Sequence, residues 1–203
     1  MATILLFPYH WAADLNSSFA LARKLEQRGH KTRFLCVPDA EALVRAQGFS
    51  FEPILSSVFP PGSVTRQEEQ EASGRFGGYG GFLERLHATF DELRRGAIDR
   101  AADGAAADAL LVSSWMPWVA IAAYRTRRPV LLFLSTPISA PDPVVPPFGS
   151  DLLPDGSRLF RLRVWLAWRR LFFERTVLRR SLDTGPELKR FARELGYPPE
   201  EVD

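Results

Sequence analysis

The sequence predicts an α/β protein built on a doubly wound, mostly parallel sheet. Two observations lead there. Short uncharged runs such as Ile4-Leu5-Leu6-Phe7 have the form of strands buried on both faces. Between these runs lie stretches whose apolar residues fall three or four apart, the spacing of a helix with one buried face.

The elements follow in order. Ile4 to Phe7 is the first strand, closed by Pro8, which has no N–H to give a ladder. A polar stretch, Tyr9 to Ser18, precedes a helix marked by Phe19, Ala22 and Leu25 and stopped by Gly29. Thr32 to Val37 is the second strand, which completes a right-handed strand–helix–strand unit. Asp39 can cap a short helix running through Ala46 and ended by Gly48, and Phe49 to Leu55 is the third strand. From Ser56 to Gly80 the sequence is irregular, with an acidic run (Glu68, Glu69, Glu71) and then Gly74, Gly77, Gly78, Gly80 and Gly81. A segment of that length in a compact domain is functional or loosely held, and here it reads as a lid. Leu83, Leu86, Phe90, Leu93 and Ala97 mark an amphipathic helix. Ala109 to Ser113, the short helix Trp118 to Tyr124, and Val130 to Leu134 continue the alternation. A proline-rich loop then leads to helices at Arg158 to Arg180 and Pro186 to Leu195. The whole is a Rossmann-like pattern without internal repeats.

Composition sets the boundaries. The 203 residues are 46% apolar and 25% charged, the balance of an ordinary globular protein. Lys plus Arg is 26 against 24 Asp plus Glu, a net charge of +2, which excludes a histone-like or acidic-tail protein. One cysteine, Cys36, forms no intrachain disulfide, so a reducing, cytoplasmic setting is the expectation. With only His10, His30 and His87 beside it, no structural metal site and no cofactor are expected. The opening MATILLFPYHW lacks the basic region of a signal peptide, and no stretch is long and apolar enough to span a membrane.

In such a sheet, ligands bind outside the carboxyl ends of the strands. That rule selects Tyr9 to Ser18, Val58 to Gly81, Ser113 to Trp118 and Ser135 to Phe148. The first holds His10, Trp11, Asp14 and Asn16 and has no glycine, so the dinucleotide fingerprint and the phosphate-binding loop are both absent from their usual place.

The run Ile4-Leu5-Leu6-Phe7-Pro8, followed by Asp14-Leu15-Asn16-Ser17-Ser18-Phe19 and Leu21-Ala22-Arg23-Lys24-Leu25-Glu26-Gln27-Arg28-Gly29-His30, carries a family resemblance. It resembles the opening of the two-domain GT-B glycosyltransferases of the macrolide and UDP-glucuronosyl type. Their pattern L-A-x-x-L-x-x-R-G-H is complete from Leu21 to His30. The resemblance extends through Val44 to Phe49 and through Leu110-Leu111-Val112 with Ser113-Ser114-Trp115-Met116-Pro117-Trp118. It implies that residues 1–203 are the acceptor-binding, N-terminal half of a GT-B fold, with 158–203 forming basic C-terminal helices. The donor-binding domain would be absent from this chain, which reads as a fragment or one half of a split enzyme. The implied activity is transfer of a hexose, with inversion, from a UDP- or TDP-sugar to a hydroxyl of a small, largely apolar natural product or lipid. The isolated chain would then be inactive. The alternative is a non-catalytic small-molecule-binding or partner module of the same fold.

The resemblance also locates a catalytic position. The family's G-H-x-N-P falls on Ala13, Asp14, Asn16 and Ser17, so a carboxylate stands where the usual histidine base would be. The aspartate that orients that histidine falls on Ser114, and a carboxylate base has no ring to orient. Asp14 is thus the first candidate base, and a capping role at the helix start is the competing reading. His10 on the same loop is the second candidate. Trp11, Asn16, Phe59, Ser114, Trp115, Met116 and Thr136 are the candidate acceptor contacts. His30 reads as packing beside a helix stop, and His87 as a surface residue. Arg158 to Arg180 holds eight arginines and one glutamate, but apolar residues are interleaved on nearly every side. A helix packed on protein is preferred to membrane contact, nucleic acid lacks any motif, and homo-oligomerisation is left open.

Overall fold

The computed structural model describes residues 1–66, 79–135, 141–147, 150–173 and 185–198. Five strands form one sheet: β1 (Thr3–Phe7), β2 (Lys31–Cys36), β3 (Ser50–Pro53), β4 (Ala109–Ser113) and β5 (Val130–Phe133). Their order is β3-β2-β1-β4-β5, and every neighbouring pair is parallel, with Leu6 beside Phe34 on one flank and beside Leu111 on the other. The doubly wound parallel sheet expected from the apolar runs is therefore present. The order reverses between β1 and β4, which leaves a crevice at their carboxyl ends.

Alternation along β1 assigns the two faces. Ile4 and Leu6 enter a core with Leu15, Phe19 and Ala22 of α1 (Ala12–Gln27) and Val44 of α2 (Glu41–Ala46). Leu5 and Phe7 enter the opposite core. It is built by α3 (Tyr79–Arg94), α4 (Ala97–Gly104), α5 (Pro117–Tyr124) and α7 (Gly185–Glu194).

Several local expectations change. The polar stretch before α1 supplies that helix's first turns. Ser17 and Ser18 donate their hydroxyls to the carbonyls of Ala13 and Leu15 inside the helix, and Leu15, Ser18, Phe19 and Ala22 share its buried face. The predicted stop does hold: Gly29 lies at φ 83°, and the His30 N–H returns to the Leu25 carbonyl. Asp39 caps no helix. Its carboxylate accepts the backbone N–H groups of Gly62 and Val64 and ties that turn to the end of β2. The amphipathic stretch expected through Ala97 is two helices, α3 and α4, broken where Gly96 takes φ 80°. His87 is half exposed, as expected, and pairs with Glu187 at 3.2 Å.

The chain divides into two compact units, Met1–Ser135 with Glu187–Asp203, and Thr136–Pro186. The second contains α6 (Arg158–Phe173), the described part of the helix expected to reach Arg180. Phe160, Val164 and Trp168 repeat every four residues on its buried stripe, and the Trp168 indole N–H donates to the Val145 carbonyl at 2.9 Å. Arg163 pairs with Asp155, and Arg169 lies 4.9 Å from the Trp165 ring centre. No helix among the described residues is long and apolar enough to cross a membrane.

Candidate functional site

A cavity of about 110 Å³ opens at the carboxyl ends of four strands. Phe7, Pro8, Tyr9 and His10 come from the end of β1, and Cys36 and Val37 from the end of β2. Leu55 and Phe59 follow β3, and Met116 and Trp118 follow β4. Helix α3 closes the remaining side with Arg85, Leu86 and Thr89. The wall is mostly carbon, with a few polar groups turned in, the usual make-up of a small-molecule site.

Local geometry explains how these side chains converge. Leu55 sits at φ 57°, in the left-handed region that a leucine rarely occupies. The chain therefore reverses at once after β3. The Phe59 N–H donates to the Leu55 carbonyl at 2.8 Å, which brings the Phe59 ring back to the wall. At the end of β1 the Tyr9 and His10 rings lie 4.2 Å apart, and Trp11 meets Tyr9 edge-on at 4.8 Å. Trp11 also meets Trp115 at 5.6 Å, so two half-exposed tryptophans mark the crevice between β1 and β4. Ser113 is buried, and its hydroxyl oxygen accepts the Trp115 N–H at 3.3 Å.

The candidate bases occupy different places. His10 is in the cavity wall. Asp14 is 1% exposed in the first turn of α1 and does not line the cavity. Its Oδ2 accepts the Tyr9 N–H at 2.6 Å, while its buried Oδ1 has no hydrogen-bond partner among the described residues. The N-cap position is Trp11, with no side-chain cap bond, so Asp14 acts from within the helix by reaching back to Tyr9. Its charge also lies favourably near the positive end of α1. Cys36 is a buried part of the same wall, with its Sγ 3.5 Å from the Pro8 carbonyl oxygen. Burial, opposed by a bond with Val37 and reinforced by the Asp14 charge, pushes its thiol up to about 12.

Of the candidate acceptor contacts, Phe59 and Met116 line the cavity and Trp11 and Trp115 border the crevice. Asn16 is exposed on α1, and Ser114 is half-buried with its N–H on the Phe133 carbonyl at 3.0 Å. Thr136 lies outside the described residues, as do the acidic run and Gly74, Gly77 and Gly78 of the expected lid. Sequence reading missed Arg85 and Thr89. They are remote from the strand ends in the chain, and α3 brings them there only by packing on the sheet. Among the described residues no group of three or more His, Cys, Asp or Glu side chains could hold a metal ion.

No protein-family model and no curated protein sequence matches the chain. Solved structures do match it. Spinosyn rhamnosyltransferase SpnG aligns at 18% identity with a TM-score of 0.43, over 66% of this chain and 35% of that one. The glycosyltransferase VinC in complex with dTDP aligns at 18% with 0.45, over 66% and 34%. The glycosyltransferase SnogD from Streptomyces nogalater aligns at 14% with 0.45, over 83% and 38%. The chain is similar to these glycosyltransferases and spans little more than a third of their length.

Proposed function

We propose that this chain is the acceptor-binding half of an inverting, nucleotide-sugar-dependent glycosyltransferase, and that the cavity holds a small, largely apolar molecule with a reactive hydroxyl. One observation carries the reading. An apolar cavity with a histidine in its wall opens at the carboxyl ends of β1 to β4, directly beyond the strand that precedes the family-like L-A-x-x-L-x-x-R-G-H run.

His10 is the proton acceptor in this proposal, because it is the candidate base that lines the cavity. Asp14 is a positioning residue that holds the Tyr9 amide and thereby the turn bearing His10. The acceptor oxygen attacks the anomeric carbon as the bond from that carbon to the diphosphate oxygen breaks. The nucleoside diphosphate departs with the bonding pair, and the hydroxyl proton passes to the His10 ring. A single displacement of this kind inverts the anomeric centre. The UDP- or TDP-sugar is held mainly by a second, donor-binding half.

The test is calorimetry on residues 1–203 with 4-nitrophenol, as a small apolar acceptor, and with UDP and TDP. The expected result is weak binding of the phenol and almost none of either nucleotide, with no sugar transfer by the chain alone. Tight nucleotide binding would reverse the assignment of which half this is. Phenol binding, without transfer even when the donor-binding half is joined to it, would leave the alternative of a non-catalytic binding module.

A further inference from the structure

Arg85 is half-buried in the cavity wall among Leu55, Phe59, Leu86, Met116 and Trp118. The arginines at the end of α3 have carboxylate partners: Arg94 meets Asp91 at 2.7 Å and Glu194 at 2.6 Å, and Arg95, just beyond the helix, meets Glu92 at 2.5 Å. Among the described residues no carboxylate pairs with Arg85. A guanidinium keeps its charge at any ordinary pH, and its planar donors fit a carboxylate in two parallel bonds. In a wall of carbon such a bond is stronger than it would be in water. Thr89 sits one turn further along α3, buried, and its hydroxyl donates to the Arg85 carbonyl at 2.8 Å. That bond anchors the backbone of the turn that presents Arg85.

We infer that the cavity selects an aromatic carboxylic acid, with Arg85 holding the carboxylate and the ring packed against Phe59, Leu86 and Trp118. A benzene ring fills an apolar cavity of roughly 150 Å³, so the 110 Å³ here, open at its mouth, suits one ring extending outward. The inference deepens the proposed function by naming the acceptor class. It makes Arg85 a specificity residue, separate from the His10 that would take the proton.

The experiment titrates 4-hydroxybenzoate and its neutral isostere 4-hydroxybenzamide onto the 203-residue chain at pH 7, followed by tryptophan fluorescence and calorimetry. The acid should bind about tenfold or more tighter than the amide, the margin of a charge-assisted bond. Arg85→Gln should remove that margin and leave the amide unchanged, while Arg85→Lys should keep part of it. Equal binding of acid and amide, a margin that survives in Arg85→Gln, or no binding of either compound would overturn the inference. So would displacement of the acid by UDP, which would make the anion a donor phosphate, or by equimolar acetate, which would make it any small anion. The acid–amide comparison in the unaltered chain decides the matter alone if Arg85→Gln does not fold. No sugar nucleotide is present, so this outcome is independent of transfer. Selective binding without transfer in the joined protein would fail the proposed function alone, and transfer to acid and amide alike would fail this inference alone.

Discussion

Phe191 of α7 stacks on Phe90 of α3 with ring centres 4.3 Å apart and planes 12° from parallel. Helix α7 thus returns to the sheet's second core beside the helix that walls the cavity. Arg94 reinforces the contact twice, lying 5.4 Å from the Phe191 ring centre and pairing with Glu194.

Phe191 is fully buried, so Phe191→Ala should lower the unfolding free energy by about 3–5 kcal/mol, the usual cost of removing a buried phenyl. Urea denaturation measures it. Arg94→Ala removes two partly exposed ion pairs, to Asp91 and Glu194, and should cost about 1 kcal/mol. If Phe191→Ala changes stability no more than Arg94→Ala, α7 is only loosely attached.

Asp39 offers a different kind of test, because it accepts two backbone N–H groups more than twenty residues away, at Gly62 and Val64. Asp39→Ala should cost about 1.5–3 kcal/mol, the range for charge-assisted bonds. It should also open the segment after Leu55 to proteases. A cap role for α2 would instead show as lost helix signal with that segment still protected.

Asp39 also marks where sequence reading stops. Ile4 to Phe7 and Ala109 to Ser113 were legible as strands because burial on both faces removes every charge from them. Gly29 was legible because a left-handed stop is a local steric requirement. Asp39 followed by a short apolar pattern looks like a cap, and nothing local says that its oxygens serve a turn beyond the next strand. The start of α1 was hidden for a related reason. Ser17 and Ser18 disfavour helix in isolation, and burial of Leu15 and Phe19 overrides that preference. The strand-end rule found the loop holding His10 and the segments holding Phe59 and Met116. Arg85 and Thr89 reach the cavity through a helix-on-sheet contact that no spacing encodes.

Cys36 should be nearly inert towards thiol reagents in the folded chain. A thiol titrating near 12 is about one part in 10⁴ thiolate at pH 8, against about a tenth for an ordinary one near 9. The folded value lies above the unfolded one, so the folded state retains the proton between them. This contribution to stability is complete below about 9 and is lost as pH rises towards about 12. Stability of the unaltered chain should therefore fall more steeply than that of Cys36→Ala between pH 9 and 11. Parallel curves, or rapid labelling of folded protein at pH 8, would contradict the buried placement.

In the proposed reaction the proton acceptor is His10, with Asp14 as the rival, and the geometry lets three substitutions separate them. In Asp14→Asn the side-chain oxygen can still accept the Tyr9 N–H, so the turn carrying His10 keeps its anchor. If Asp14 only positions that turn, transfer by the protein joined to its donor-binding half should stay within a few-fold of normal. Asp14→Ala releases the amide and should raise the acceptor KM more than it lowers kcat. His10→Gln removes the proposed proton acceptor from the cavity wall and should cost about 10²–10⁴ in kcat, the usual range for loss of a general base. The pH–rate profile supplies a second readout: the acidic limb, where a protonated His10 can no longer accept the hydroxyl proton, should vanish in His10→Gln and persist in Asp14→Asn. A dead Asp14→Asn enzyme with a folded, ligand-binding cavity and an active His10→Gln enzyme would return the proton to the carboxylate. The helix start that the family resemblance singled out would then hold the base, and His10 would be one more ring in the wall.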